Sequence, residues 1–455
     1  MMRGYRLSEL ASALGVRHQG ADIVVHGVAI DSRSVQPGDL FVALPGARVD
    51  GHAFLAEAAD RGAAAALVTQ AQAAALPQLV VDDALTALGR LAAFNRRSFT
   101  GPLIAVTGSC GKTSVKGMLS TVLARRARVL ATAGNLNNEI GVPLTLLRLS
   151  PDDGIAVVEM GARGRGHIDY LCRLAVPDIA MLLNASAAHL DGFGSLQAVV
   201  EAKGEIYDQL TPQGVAVVNA DSPFAAEWTA RARASGARVI SYGLEALASV
   251  TASGIELGPD HCRFLLHHAG DSAQVRLPVP GEHSVSNALA TAAAAIACGL
   301  AVSDIAEGLG EVQPTAGRLL RQTGRGGISL IDDAYNANPA SVRAAIDVLA
   351  CCDSPRVLVL GSMLELGEQS AQEHAAVGRY ARERGIDRFV GVGAAPQAAT
   401  TAFGDGASWF AGNAEAIAAA EDWSAGAATI LVKGSRGAAM EQVLAALQTE
   451  ETPSC

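Results

Sequence analysis

The run Ala105-Val-Thr-Gly-Ser-Cys-Gly-Lys-Thr-Ser-Val-Lys116 joins an apolar segment to a helical one through a turn of small residues. Such a turn dictates its own surroundings. A glycine-rich loop that opens a helix presents backbone N–H groups to phosphate oxygens, so a buried strand must precede it and a helix must follow. Leu103 to Thr107 reads as the strand, and Thr113 to Arg126 as the helix, with Val115, Met118, Leu119, Val122 and Leu123 at helical spacing. The N–H groups from Gly108 through Ser109 and Cys110 to Gly111 are expected to wrap the phosphates, with Lys112 near the β and γ oxygens, the Thr113 hydroxyl on Mg²⁺ and Ser114 beside it. The strict G-x-x-x-x-G-K-S/T pattern wants glycine where Val106 stands, so this is a shortened form of the loop. Alkylation of Cys110, inside the loop, is expected to block ATP.

A chain of 455 residues is too long for one core, and two to three domains are expected. Residues 1–82 alternate short apolar runs with turns and read as a small α/β unit; a helix near Ala84 to Arg97 then leads into the phosphate loop. Over 83–316 the apolar runs Leu103 to Thr107, Ile155 to Met160, Ile179 to Asn184 and Val215 to Asn219 alternate with helical stretches. That pattern predicts a mostly parallel sheet with its active residues at the carboxyl ends of the strands. The pattern restarts over 317–455 with Ile328 to Asp332, Arg356 to Leu360, Arg388 to Val392 and Thr429 to Lys433. The fold class is therefore α/β in three domains: a small N-terminal one, a central one around the phosphate loop and a third, C-terminal one.

A net charge of −10 disfavours nucleic acid as a partner and means that anionic substrates must meet local cations. The seven cysteines lack any C-x-x-C pair, which fits a reducing cytoplasm. The N-terminus lacks an apolar signal core and no run reaches about 18 apolar residues, so a cytoplasmic protein without a membrane span is expected, as a monomer.

Several polar groups stand where a strand ends. Glu159 closes the run Ile155-Ala-Val-Val-Glu, where a carboxylate calls for a cation, and Mg²⁺ is the natural one. His189 follows another strand in Asn184-Ala-Ser-Ala-Ala-His, within reach of the same region, and Lys203 lies on a helix beyond it. The segment Ile331-Asp-Asp-Ala-Tyr-Asn-Ala-Asn-Pro offers acceptors, amides and one ring that suit an adenine and ribose, or a helix cap, or both. Leu431-Val-Lys-Gly-Ser-Arg-Gly sets Lys433 and Arg436 at a strand-to-helix turn, an anchor for a carboxylate.

Taken together, these motifs resemble the Mur ligase family over nearly the whole chain. Thr107-Gly-Ser-Cys-Gly-Lys-Thr is similar to its phosphate loop, Asn135-Leu-Asn-Asn-Glu-Ile-Gly-Val-Pro to its substrate loop, and Ala188-His-Leu-Asp-Gly-Phe-Gly-Ser with Lys203 to its metal region. Asp332-Asp-Ala-Tyr-Asn-Ala-Asn-Pro points within the family to the branch that joins D-alanyl-D-alanine to UDP-N-acetylmuramoyl-tripeptide through an acyl phosphate. The resemblance implies a small N-terminal UDP-sugar domain, a central P-loop-type ATPase domain and a C-terminal Rossmann-like domain that closes over ATP, with ATP and two Mg²⁺ ions. It assigns Thr113, Glu159, His189 and a carbamylated Lys203 to the metals, and Lys112, Asn287, Arg318, Asp333 and Tyr335 to the nucleotide, with Arg318 near the γ-phosphate. Ser32 and Arg33 fall near the uridine, Asn137, Asn138, Asn336 and Asn338 among substrate-binding residues, and Lys433 and Arg436 near the peptide. Three positions depart from the family pattern: Ser362 where aspartate is usual, Glu282 where arginine is common, and His167 where glutamate is usual.

Overall fold

The computed structural model describes residues 2–46, 49–73, 75–186 and 193–448. The strand Leu103–Thr107 lies inside a nine-stranded sheet whose order from one edge is Val129–Ala131, Ile155–Glu159, Leu103–Thr107, Ile179–Leu182, Val215–Asn219, Arg238–Gly243, Val250–Leu257, Cys262–His268 and Asp271–Leu277. The first seven run parallel, and the last two return as antiparallel hairpins. After Leu103–Thr107 the chain goes to the edge strand Val129–Ala131, returns to fill the gap with Ile155–Glu159, and then crosses to Ile179–Leu182 on the other side. This reversal opens a crevice at the strand ends, the usual place for a ligand in an open α/β sheet.

Every residue of Leu103–Thr107 and Ile155–Glu159 is buried, because helices cover both faces of the sheet. The pleat sorts them by alternation. Leu103, Ala105, Ala156, Val158, Ala180 and Leu182 enter the core shared with the helices Ala84–Arg96 and His167–Ala175. Ile104, Val106, Val157, Ile179 and Met181 face the helices Lys112–Ala124 and Glu282–Ala297 on the other side. The alanine-rich second helix lies directly against the first, which small side chains permit.

The N-terminal unit has a five-stranded sheet, His18–Gln19, Gln78–Val80, Ala65–Val68, Asp39–Val42 and Gly27–Ala29, parallel except for its first pair. Its core is continuous with the central one through Leu7, Leu10, Leu88 and Leu91. Asn95 reinforces that junction, accepting from the Tyr5 hydroxyl (3.0 Å) and donating to Leu146 O and Leu149 O (2.9 and 3.1 Å). The C-terminal unit is a six-stranded sheet in the order Leu320–Thr323, Ser329–Asp333, Thr429–Lys433, Arg356–Gly361, Arg388–Val392 and Ala407–Phe410, parallel after an antiparallel first pair.

The apolar runs singled out from the sequence form strands with ends shifted by at most two residues. Some of the strands that the runs did not reveal have one exposed face. Cys262–His268, for example, alternates buried and exposed residues from Cys262 to Leu266 and so carries no continuous apolar run. No helix among the described residues is long and apolar enough to cross a membrane.

Candidate active site

A cavity of about 850 Å³ lies where the central and C-terminal sheets present their strand ends to one another. The phosphate loop forms its floor. Gly111 takes a left-handed backbone (φ +83°) to turn the strand into the helix Lys112–Ala124, and a Cβ there would stand 2.7 Å from Asn287 Oδ1. Glycine is therefore required on both conformational and steric grounds.

The loop is braced from the neighbouring strand. Ser109 N–H donates to Asn184 O (3.1 Å) and Cys110 N–H to Asn184 Oδ1 (2.9 Å), while Asn184 Nδ2 donates to Cys110 O (3.2 Å). Two of the N–H groups expected to wrap phosphate are thus engaged by Asn184. The sequence places Asn184 only at the end of a strand, before the stretch that leads to His189. A single asparagine at a strand end gives no sequence signal for that bracing role. Lys112 Nζ donates to Gly108 O at 2.6 Å. Desolvation pulls the Lys112 ammonium below its usual range, with Glu159 opposing the shift.

Glu159 is 1% exposed and its carboxylate is fully engaged. Oε1 accepts from Asn137 Nδ2 at 2.8 Å; Oε2 accepts from the Thr113 hydroxyl at 3.2 Å and lies 3.3 Å from Lys116 Nζ. Lys116 was missed in the sequence reading. The available signal was a lysine three residues after Thr113 on the helix face that carries Leu119 and Leu123.

Lys203, on the helix Leu196–Gly204, is 3% exposed and donates to Gly108 O at 3.3 Å. Burial, with Lys112 adding repulsion, lowers its pKa to about 7, so a large share of it is an uncharged amine at neutral pH. His189 lies outside the described residues.

The roof comes from the C-terminal domain. Arg318 stacks over the Tyr335 ring (4.5 Å to its centre) and donates to the Thr113 hydroxyl at 3.1 Å. Asn338 Oδ1 caps the helix Pro339–Ala350 through Ser341 N–H (2.9 Å), while its Nδ2 donates to Cys110 Sγ at 3.0 Å. Asn287, Asn138 and Ser114 line the same cavity, as does the exposed Asn336.

Lys433 is buried, donating to Asp333 Oδ2 (2.5 Å) and to Asn336 O (2.9 Å), so its charge is spent inside the C-terminal domain. Burial raises the Asp333 carboxyl, and Lys433 pulls it back.

The structure does not bring the remaining predicted residues into the cavity. Arg436 is exposed and lies 3.6 Å from Glu441, so it and Lys433 do not form a joint anchor here. Ser32 donates to Glu57 Oε2 (2.9 Å) and Arg33 pairs with Asp31, both in the N-terminal unit. Of the three departing positions, His167 lines the cavity, Ser362 accepts from Ser435 N–H at 3.1 Å, and Glu282 is exposed beside a separate, smaller pocket.

Hard oxygen donors on Thr113 and Glu159 suit Mg²⁺, which commonly takes one or two carboxylates and completes its shell with water and phosphate. No group of three or more His, Cys, Asp or Glu side chains is poised to hold a metal among the described residues. A cation on these two oxygens would complete its shell from water and a bound nucleotide. Cys110 provides a direct probe of that nucleotide: iodoacetamide labelling of its thiol is expected to abolish ATP binding, and ATP to slow the labelling. Peptide mass mapping separates Cys110 from the exposed Cys351, and an unchanged Cys110 rate with saturating ATP would rule out this placement.

Three family models match the chain: Mur ligase family, catalytic domain (residues 24–96), Mur ligase middle domain (106–295), and Mur ligase, glutamate ligase domain (317–436). The chain is 43% identical over 450 residues to the UDP-N-acetylmuramoyl-tripeptide--D-alanyl-D-alanine ligase of Escherichia coli K12, covering 98% of this chain and 99% of that one. A crystal structure of MurF from Acinetobacter baumannii superposes with a TM-score of 0.92 at 38% identity, covering 98% of both chains. MurF of Thermotoga maritima in complex with ADP superposes at 0.82 and 26% identity, covering 93% of this chain and 97% of that one.

Proposed function

The chain belongs to the Mur ligase family, and from that premise we propose how its residues carry out the reaction. It is an ATP-dependent ligase that adds D-alanyl-D-alanine to UDP-N-acetylmuramoyl-tripeptide in peptidoglycan synthesis. The observation that carries the mechanism is the meeting of the phosphate loop, Glu159 and Lys203 with Arg318 and Asp333 across one cavity.

The terminal carboxylate of the tripeptide attacks the γ-phosphorus of ATP. A P–O bond forms to the carboxylate, the bond to the β-bridging oxygen breaks, and ADP leaves. The amine of D-alanyl-D-alanine then attacks the acyl carbon; an amide C–N bond forms, phosphate leaves and the amine's proton is lost. Activation is needed because a free carboxylate is a poor acyl donor. No side-chain nucleophile takes part, so the protein's contribution is positioning and electrostatics.

Lys112 and Arg318 approach the phosphoryl oxygens from floor and roof, and both touch the loop that would hold them. Thr113 would hold a first Mg²⁺, and Glu159, His189 and a carbamylated Lys203 would serve a second. When bound, the metal ions neutralise charge on the transferring phosphoryl group. The buried, partly neutral Lys203 supports the carbamate: its free electron pair attacks CO₂, an N–C bond forms and one proton leaves, turning a would-be ammonium into an anion. Tyr335 and Asn287 flank the nucleotide, Ser32 and Arg33 meet the uridine, and Arg436 faces the peptide only after the C-terminal domain has moved. We place the reaction in the cytoplasm and the chain as a monomer there.

Phosphate release from ATP, with and without each substrate, together with the mass of the UDP-linked product, tests the reading. One ligation per phosphate, dependent on both substrates, is expected. Scrambling of ¹⁸O from the β,γ-bridge of ATP in the absence of D-alanyl-D-alanine tests the acyl phosphate. Phosphate release without ligation would overturn the ligase mechanism.

A further inference from the structure

Lys116 lies one helical turn beyond Thr113, and its side chain is 9% exposed. A buried ammonium is strongly unfavourable unless it is paired and hydrogen-bonded. Its Nζ donates to Gly134 O at 2.7 Å and stands 3.3 Å from Glu159 Oε2. Gly134, in a left-handed conformation (φ +51°), opens the segment that carries Asn137 and Asn138.

That segment is tied to the same carboxylate from its other end, since Asn137 Nδ2 donates to Glu159 Oε1 and Asn137 O accepts from Gly161 N–H at 2.7 Å. Asn138 Oδ1 in turn accepts from Gly141 N–H (2.9 Å) at the start of the helix Gly141–Leu147. This helix packs on Ala84–Arg96 and on the N-terminal strand Gly27–Ala29. Direct contacts thus run from the phosphate-loop helix, through one ammonium, to the cavity wall that adjoins the N-terminal domain.

We propose that Lys116 is a positioning residue that holds the 134–138 loop in register with Glu159, and so sets both the binding of the UDP-linked tripeptide and the rate of phosphoryl transfer. The inference rests on the ligase reading given above. One ammonium suits the task because it is a compact point donor: one N–H meets the Gly134 carbonyl while the charge balances Glu159. Without it the loop loses its anchor at Gly134, and Oε2 keeps only the Thr113 hydroxyl.

The test compares wild type, Lys116→Met and Lys116→Arg by calorimetry with UDP-N-acetylmuramoyl-tripeptide and with ADP, each without Mg²⁺, and by steady-state kinetics. In Lys116→Met the tripeptide is expected to bind about tenfold more weakly, with ADP affinity within about threefold of wild type. The kcat falls about 100-fold, the usual cost of a small misplacement at a reacting centre. The KM for D-alanyl-D-alanine is unchanged. Lys116→Arg keeps the charge but brings a larger planar head that must displace Gly134 or Glu159, so its tripeptide affinity lies between the two. Circular dichroism establishes folding, and should Lys116→Met fail to fold, Lys116→Arg is read in the same way. Wild-type tripeptide affinity in the folded variant overturns the proposal, because a merely structural lysine would alter melting without that selective loss. Failure of the wild-type protein to bind the tripeptide would instead overturn the ligase reading.

Discussion

Lys203→Met is expected to lower kcat on the order of 10³-fold while making the protein harder to unfold. The two effects have one cause. Lys203 is buried with Lys112 nearby and its pKa is pulled from 10.5 to about 7. Between those values the unfolded chain binds a proton that the folded chain does not, so protonation favours unfolding. The penalty is complete below pH 7 and fades as pH rises toward 10.5. Methionine removes it, for a gain of at most about 4 kcal/mol at pH 7 in CO₂-free buffer without nucleotide. Melting temperatures of the two proteins should therefore converge at high pH.

Catalysis moves the opposite way, because carbamate formation requires the neutral amine. Wild-type activity should fall as pH drops below about 7, and ¹³CO₂ should yield a carbamate carbon signal that Lys203→Met lacks. A variant that keeps most of its activity would remove Lys203 from the mechanism.

Lys433→Met is expected to produce the largest loss of stability. The Lys433–Asp333 pair joins neighbouring parallel strands of the C-terminal sheet, at 2.5 Å and with little exposure on either side. Removing one member leaves an uncompensated carboxylate in the interior, at a cost of about 3–5 kcal/mol. The double variant Asp333→Asn/Lys433→Met should recover much of this, since a buried pair is replaced with far less penalty than it is broken. Urea unfolding of the four proteins in this cycle gives the coupling. Additive losses would mean that the pair is not coupled, and would return Lys433 to the role of a free anchor for substrate. Nucleotide affinity should fall in both single variants, because Asp333 and Lys433 line the same cavity.

The phosphate loop was legible because its chemistry is local: strand, turn and helix are neighbours in the chain, and Gly111, Lys112 and Thr113 act within three consecutive positions. Glu159 was legible because a carboxylate at the end of an all-apolar strand demands a partner. Lys116 and Lys433 show where this kind of reading stops. A lysine within a helix pattern is a solvated charge by default, and nothing along the chain indicates that Lys116 points at Gly134 O and Glu159. Lys433 did look functional, but its partner lies 100 residues away in the chain, and that partner makes it a member of a buried pair. Asn184 was likewise placed in the right loop, while its hold on the Ser109 and Cys110 N–H groups depends on strand order.

By itself, then, the chain's pattern of apolar runs and small-residue turns determined three α/β units and a nucleotide loop, because burial periodicity and backbone geometry are properties of short segments. The tertiary structure decided which charges are neutralised, which N–H groups stay available and that Arg436 stands outside the cavity. The physical reason is that the energy of a charge is set by everything within a few ångströms of it, and in a parallel sheet those neighbours come from strands far apart in the chain.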